Sequence, residues 1–147
     1  MKRRKNGFTL VELVVVVMIL GILAAVAAPR LLQTSDTAME NGVKQTVAVI
    51  RDAIERYAAD NGAELPGTGA TGNTADQAGF KLDLRDYLRG SFPECPVGNA
   101  NDANVKIQTT GSPTVGGTEG WAYSSDTGEF IINNSDPDSE GTAFSAY

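Results

Sequence analysis

The sequence contains no histidine and only one cysteine, Cys95, among its 147 residues. Histidine-based acid/base catalysis, zinc sites built from cysteine and histidine, and an internal disulfide are therefore excluded. Positive charge is also scarce, because 12 Lys and Arg residues stand against 18 Asp and Glu residues and the formal net charge is −6. This balance disfavours nucleic-acid binding. Most enzyme classes are thus removed before any motif is considered, and the length suits a single domain.

The N-terminus has a short basic segment followed by a long apolar one. Four Lys or Arg residues lie within the first five positions, and residues 13–28 contain no charged side chain. This layout predicts export, with the basic end kept in the cytoplasm. Three interpretations are open: an ordinary cleaved secretory signal, a permanent membrane anchor, and a leader that is removed before the apolar run.

The first two interpretations each have support but share one difficulty. Ala25 and Ala27 fit the cleavage site of an ordinary signal, whereas the run from Phe8 to Ala28 has about the 20 residues needed to span a bilayer. Glu12 lies inside this run, where a charged side chain costs about 2.5–3.5 kcal/mol. Glu12 therefore needs a cationic partner or an aqueous path.

The residues around Glu12 have a distinctive order: Phe8 directly follows Gly7 and comes four residues before the glutamate, and Pro29 follows 21 residues after Phe8. This junction resembles the leader junction of prepilins and pseudopilins. The resemblance implies cleavage between Gly7 and Phe8 by a membrane prepilin peptidase, and N-methylation of Phe8 by the same enzyme. It also implies that Glu12 pairs with the terminal amine of a neighbouring subunit during filament assembly, which would supply the missing cation.

Residues 31–61 continue the helical pattern with one apolar face. The apolar side chains recur at steps of three or four residues, at Val43, Val47, Ile50, Ile54 and Tyr57. We expect one helix from about Phe8 to about residue 61, ended by Asn61-Gly62 with Pro66 beyond. Pro29 lacks an amide donor, so it predicts a kink in this helix.

The rest of the chain predicts short elements. A Gly- and Thr-rich surface loop covers residues 67–79, a short helix covers 81–89, and strands cover 105–109, 120–123 and 129–133, with a hairpin turn before the last strand. Cys95 lies between two prolines and is expected to be a buried apolar side chain, with an intermolecular disulfide as the alternative.

These elements predict an α+β fold of the pilin-like kind. A long N-terminal α-helix, half transmembrane and half amphipathic, packs on a small C-terminal antiparallel β-sheet. In this organisation residues 1–7 are the leader peptide, residues 8–28 the transmembrane and filament-core helix, and residues 29–147 a periplasmic domain that includes the amphipathic helix.

The C-terminal tail carries acidic side chains at alternate positions, at Asp136, Asp138 and Glu140. Oxygen ligands at alternate positions are one way in which a loop binds calcium. The resemblance implies the same possibility, since major pseudopilins of type II secretion bind calcium in a C-terminal loop. We expect a solvated acidic tail without a cofactor, and a calcium site at these three residues is the alternative.

The resemblance implies a structural subunit and not an enzyme. We expect the major pseudopilin of a type II secretion system, held in the bacterial inner membrane with its N-terminus cytoplasmic and its head periplasmic, and then assembled with other pilin-like subunits. The implied partners are the prepilin peptidase, an inner-membrane platform protein with its assembly ATPase, and membrane lipid. A type IV pilin or minor pilin for adhesion, motility or DNA uptake is the alternative, although the paired C-terminal cysteines usual there are absent. An anchored periplasmic enzyme or binding module is a remote third possibility.

Overall fold

The structure is a computed structural model that describes residues 7–69, 75–98 and 102–147. Two compact units make up the chain, one ending at Ala38 and the other spanning Met39–Tyr147. Of the predicted leader, only Gly7 falls within the described residues, and part of the predicted 67–79 loop also lies outside them.

Helix α1, Leu10–Asp60, is the longest element and begins in the first unit. Its segment Leu10–Ala28 has a mean hydropathy of 2.9 and is long and apolar enough to cross a membrane. None of that segment is buried by the rest of the described chain. The helix is continuous across Pro29, and the kink expected there stays a prediction.

The later part of α1 provides one wall of the core of the second unit. The predicted apolar face is confirmed, since its members are all at most 4% exposed: Val43, Val47, Ile50, Ile54 and Tyr57. The predicted end of the helix is also confirmed. The Asn61 side chain donates to the Tyr57 carbonyl at 2.9 Å, and Gly62 adopts a positive φ of 69°, a conformation that costs glycine little.

Helix α2, Gln77–Asp83, lies earlier in the sequence than the helix predicted at 81–89. Asp76 is the reason, because its carboxylate accepts a hydrogen bond from the Gly79 amide at 2.9 Å and caps the first turn. Residues 84–90 form turns and bends instead of helix. The predicted boundaries were therefore wrong, because the capping residue was overlooked.

Three short strands form the sheet: β1, Val105–Gln108; β2, Trp121–Ser124; and β3, Phe130–Ile132. The strand order is β1-β2-β3. Strand β2 pairs antiparallel with β3, as predicted, but β1 pairs parallel with β2, so the sheet is mixed and the expectation of a wholly antiparallel sheet was wrong. The connection at 109–120 explains the difference, because about a dozen residues suffice to return the chain for a parallel pairing.

Aromatic side chains fill the space beside the sheet. The centre of the Phe130 ring lies 5.3 Å from that of Trp121 and 6.2 Å from that of Phe80. The ring centres of Phe80 and Tyr123 are 4.3 Å apart. All four side chains are fully buried. Cys95 is buried in the same core, as the sequence predicted.

Truncating a side chain at the centre of this cluster should destabilise the Met39–Tyr147 unit, which is called the head below. We expect Phe130→Ala to lower the free energy of unfolding by about 3–5 kcal/mol, because it removes buried surface and leaves a cavity. Leu82→Ala, at a side chain that is 46% exposed, should change it by no more than about 0.5 kcal/mol. Trp121 fluorescence during urea unfolding of the full chain in detergent would measure both, and equal effects would contradict this account of the core.

Candidate functional site

The predicted assembly residues lie at the start of helix α1. Phe8 is 79% exposed, and Glu12 is exposed on the first turn. The Oε2 atom of Glu12 accepts hydrogen bonds from the Thr9 amide at 2.9 Å and from the Thr9 hydroxyl at 2.7 Å. In return the Glu12 amide donates to the Thr9 hydroxyl at 3.3 Å. Thr9 and Glu12 therefore form a capping box.

Sequence reasoning assigned Glu12 to assembly but missed its partner Thr9. The signal was available, because a threonine three residues before a glutamate at the start of an apolar run is the pattern of a capping box. Both hydrogen bonds go to Oε2, and among the described residues Oε1 accepts none. The carboxylate thus caps its own helix with one oxygen and leaves the other available.

The acidic tail residues do not share one environment. Asp136 and Glu140 are exposed, whereas Asp138 is buried. Within the described residues, no three Asp, Glu, His or Cys side chains are close enough together to hold a metal ion. Asp136, Asp138 and Glu140 are therefore neighbours in sequence without converging on one point, and the calcium alternative stays a prediction.

Asp138 is the centre of a polar network in the C-terminal loop, defined here as residues 136–147. Its Oδ1 atom accepts from the Glu140 and Thr142 amides, both at 2.8 Å. Its Oδ2 atom accepts from the Tyr147 hydroxyl and lies 3.7 Å from the Lys44 ammonium. These contacts satisfy both oxygens of a buried carboxylate, which would otherwise be costly to desolvate.

The network shifts the pKa values of its members. The Tyr147 hydroxyl, followed by the Thr142 and Glu140 amides and the Lys44 ammonium, holds the pKa of Asp138 below its ordinary value despite burial. Interaction with Tyr147, and then with Asp138, raises the pKa of Lys44. Both groups are therefore charged at neutral pH.

Two further side chains of α1 hold the same loop. Glu40 is 7% exposed, and its carboxylate accepts from the Ser139 amide at 2.8 Å and from the Ser139 hydroxyl at 2.7 Å. The guanidinium of Arg51 donates to the Phe130 carbonyl at 2.7 Å and to the main-chain oxygen of Tyr147. The sequence places Lys44 and Arg51 on the polar face of the helix but gives no partner for them or for Glu40, because such partners lie up to 99 residues away.

Comparison with known proteins points to a single class. Residues 2–28 match the family described as the prokaryotic N-terminal methylation motif. The chain is 38% identical over 103 residues to type II secretion system core protein G of Aeromonas hydrophila, an alignment that covers 67% of this chain and 71% of that protein. Its identity to the core protein G of Vibrio cholerae is 29% over 129 residues, or 80% of this chain and 88% of that protein.

A third relative is a pilus protein. Over 50 residues, the chain is 46% identical to the type IV narrow pilus major component of Thermus thermophilus, which covers 34% of this chain and 43% of that protein. No solved structure is significantly similar.

A methylation motif at the start of an apolar helix, followed by a helix-and-sheet head, defines a pilin-like protein. The relationship to core protein G extends over most of the chain, whereas the relationship to the type IV pilus component covers a third of it. The chain belongs to the family of type II secretion system core protein G, the major pseudopilins.

The capping box generates a first prediction for this site. Thr9→Ala should raise the exchange rate of the Glu12 amide severalfold, because loss of an N-cap costs about 1 kcal/mol of helix stability. Thr9→Ser keeps the hydroxyl and should exchange like the original chain. Residue-resolved hydrogen exchange in detergent micelles would measure this, and equal rates for the two variants would contradict the capping role.

Asp138 generates a second prediction, on pH dependence. Because its pKa is lower in the folded than in the unfolded state, its stabilising effect is present above the unfolded-state pKa of about 3.9 and is lost as the pH falls through the lower folded-state value. Asp138→Asn should therefore have a lower melting temperature than the original chain at pH 6. Between pH 5 and pH 3, its melting temperature should fall by less than that of the original chain. Asp86→Asn, at a side chain that is 81% exposed, is the control, and similar melting temperatures at pH 6 would refute the prediction.

Proposed function

We propose that this chain is the structural subunit of a type II secretion pseudopilus and has no catalytic activity of its own. Its family consists of structural subunits, and its relatives are named as core proteins of that secretion system. The single observation that carries the proposal is the apolar Leu10–Ala28 segment, which is wholly exposed in the isolated chain. Such a surface requires lipid or other copies of the same helix.

The proposed maturation step is cleavage between Gly7 and Phe8 by a prepilin peptidase, followed by N-methylation of Phe8. Two observations support it: the methylation motif spans this junction, and helix α1 begins only at Leu10, so the peptide bond lies outside the helix. A protease requires an extended peptide segment, and the described backbone at residues 7–9 is not helical. Cleavage would leave the positive amine of Phe8 close to the first turn of α1.

Glu12 is the proposed recognition group for a neighbouring subunit. Its Oε1 atom is available while Oε2 caps the helix, so it can accept the Phe8 amine of another copy without uncapping its own helix. An unpaired carboxylate in an apolar environment is strongly unfavourable, and pairing removes that cost. Only the axial offset that brings the two groups together is then stable, which fixes the position of each added subunit.

The proposed location is the bacterial inner membrane, with the basic N-terminus cytoplasmic and the Met39–Tyr147 unit periplasmic. The basic residues before Gly7 and the apolar helix after it support this orientation. The further proposed partners are a platform protein with its assembly ATPase, which would move the subunit from lipid into the filament. A type IV pilus role is the second candidate, and the shorter similarity to the Thermus protein supports it.

Two measurements test this function. The intact mass of the protein from membranes should correspond to loss of residues 1–7 and gain of one methyl group. Glu12→Gln should be processed normally but assemble at least tenfold less filament, because glutamine retains the capping acceptor and loses the charge. Asp36→Asn, which neutralises an exposed carboxylate elsewhere on α1, is the matched control.

Two outcomes would contradict the proposal. A mature chain that begins at Ala28 or retains Met1 would replace the prepilin interpretation with a secreted or anchored module. Filament yields from Glu12→Gln equal to those from Asp36→Asn would show that the charge of Glu12 has no part in assembly.

A further inference from the structure

The C-terminal loop raises the question of which cation balances its buried carboxylate. The Asp138 side chain is only 1% exposed, and the Lys44 side chain beside it is 38% exposed. The Lys44 ammonium lies 3.7 Å from Asp138 Oδ2 and 4.1 Å from the centre of the Tyr147 ring. A protein cation therefore already contacts both the carboxylate and an aromatic face that favours positive charge.

The surroundings of the Asp138 carboxylate do not fit a calcium ion, because its oxygen atoms already accept hydrogen bonds. Calcium takes six to eight oxygen ligands at about 2.3–2.6 Å. Asp138 Oδ1 already accepts two amide hydrogens, from Glu140 and Thr142, and thereby uses both of its lone pairs. Its Oδ2 accepts the Tyr147 hydroxyl on the side where Lys44 also lies.

The other carboxylates do not complete a calcium site. Asp136 and Glu140 are exposed. Glu40, a buried carboxylate on α1, already accepts hydrogen bonds from the amide and hydroxyl of Ser139. A divalent ion at Asp138 would have to displace the Tyr147 hydroxyl and would be repelled by the Lys44 ammonium. The two buried carboxylates, Asp138 and Glu40, are thus bound by donors from the chain itself.

We propose that Lys44 is the built-in cation of the C-terminal loop, so that the loop closes on helix α1 without a divalent metal. The lysine neutralises Asp138, and Tyr147 orients the pair by donating to the carboxylate and presenting its ring to the ammonium. Glu40 and Arg51 fix the two sides of the loop through Ser139 and the main-chain oxygen of Tyr147. This inference concerns the head alone and does not depend on the filament role.

Hydrogen exchange of the full chain in detergent, read by mass spectrometry on peptides covering residues 136–147, tests the proposal. The original chain should exchange equally in excess EDTA and in 2 mM CaCl2. Lys44→Met keeps the aliphatic length and removes the charge, so it should exchange at least fivefold faster in this segment in EDTA. Arg85→Met removes one positive charge from an exposed ion pair, and it should leave the segment unchanged.

Either of two results would overturn the proposal. Slower exchange of the original chain in CaCl2 than in EDTA would mean that calcium closes the loop, and this comparison needs no variant. Exchange of the 136–147 segment in Lys44→Met that equals exchange in Arg85→Met would mean that the ammonium has no part in closure.

Discussion

The structure depends on one constraint: the first part of helix α1 has no apolar partner among the residues that the structure describes. The segment Leu10–Ala28 is entirely exposed among the described residues, and burying each apolar side chain of this size is worth roughly 1.5–3 kcal/mol. Because burial of this surface is so favourable in free energy, the segment is not stable in water. Lipid and the helices of other subunits are the two environments that satisfy it, and transfer between them is the physical change that assembly requires.

The same 51-residue helix meets a different requirement after Met39. There the aromatic core buries its apolar face. Three charged side chains of this part of the helix, Glu40, Lys44 and Arg51, bind the C-terminal loop and strand β3. The helix thus combines a segment that must be covered by other molecules with one that is covered by its own chain. The contacts that hold the C-terminal loop on α1 pair charged groups within the Met39–Tyr147 unit. They therefore do not depend on whether lipid or other subunits surround the Leu10–Ala28 segment.

The parts of this protein that could be predicted from sequence are those set by local patterns. The spacing of Val43, Val47 and Ile50 defines the buried face of α1, and Asn61-Gly62 defines its end. The direction of β1 could not be read from its own residues, because the 109–120 connection decides it. The Glu40–Ser139 contact joins residues 99 positions apart, and no local periodicity relates such residues. Thr9 and Asp76, in contrast, were recognisable as caps and were overlooked.

In the proposed function, Glu12 serves both the fold, as a helix cap, and the contact with a neighbouring subunit. An acidic side chain at the third helical position is favourable because it accepts a free amide and interacts with the positive end of the helix dipole. That local stabilisation lowers the cost of keeping a charge beside the apolar residues of α1. It does not remove the cost, because Oε1 accepts no hydrogen bond from any described residue. Under the proposed assembly, the amine of a neighbouring subunit relieves this remaining cost, so the cap reduces the cost of the charge in a single subunit and pairing reduces it further in the filament.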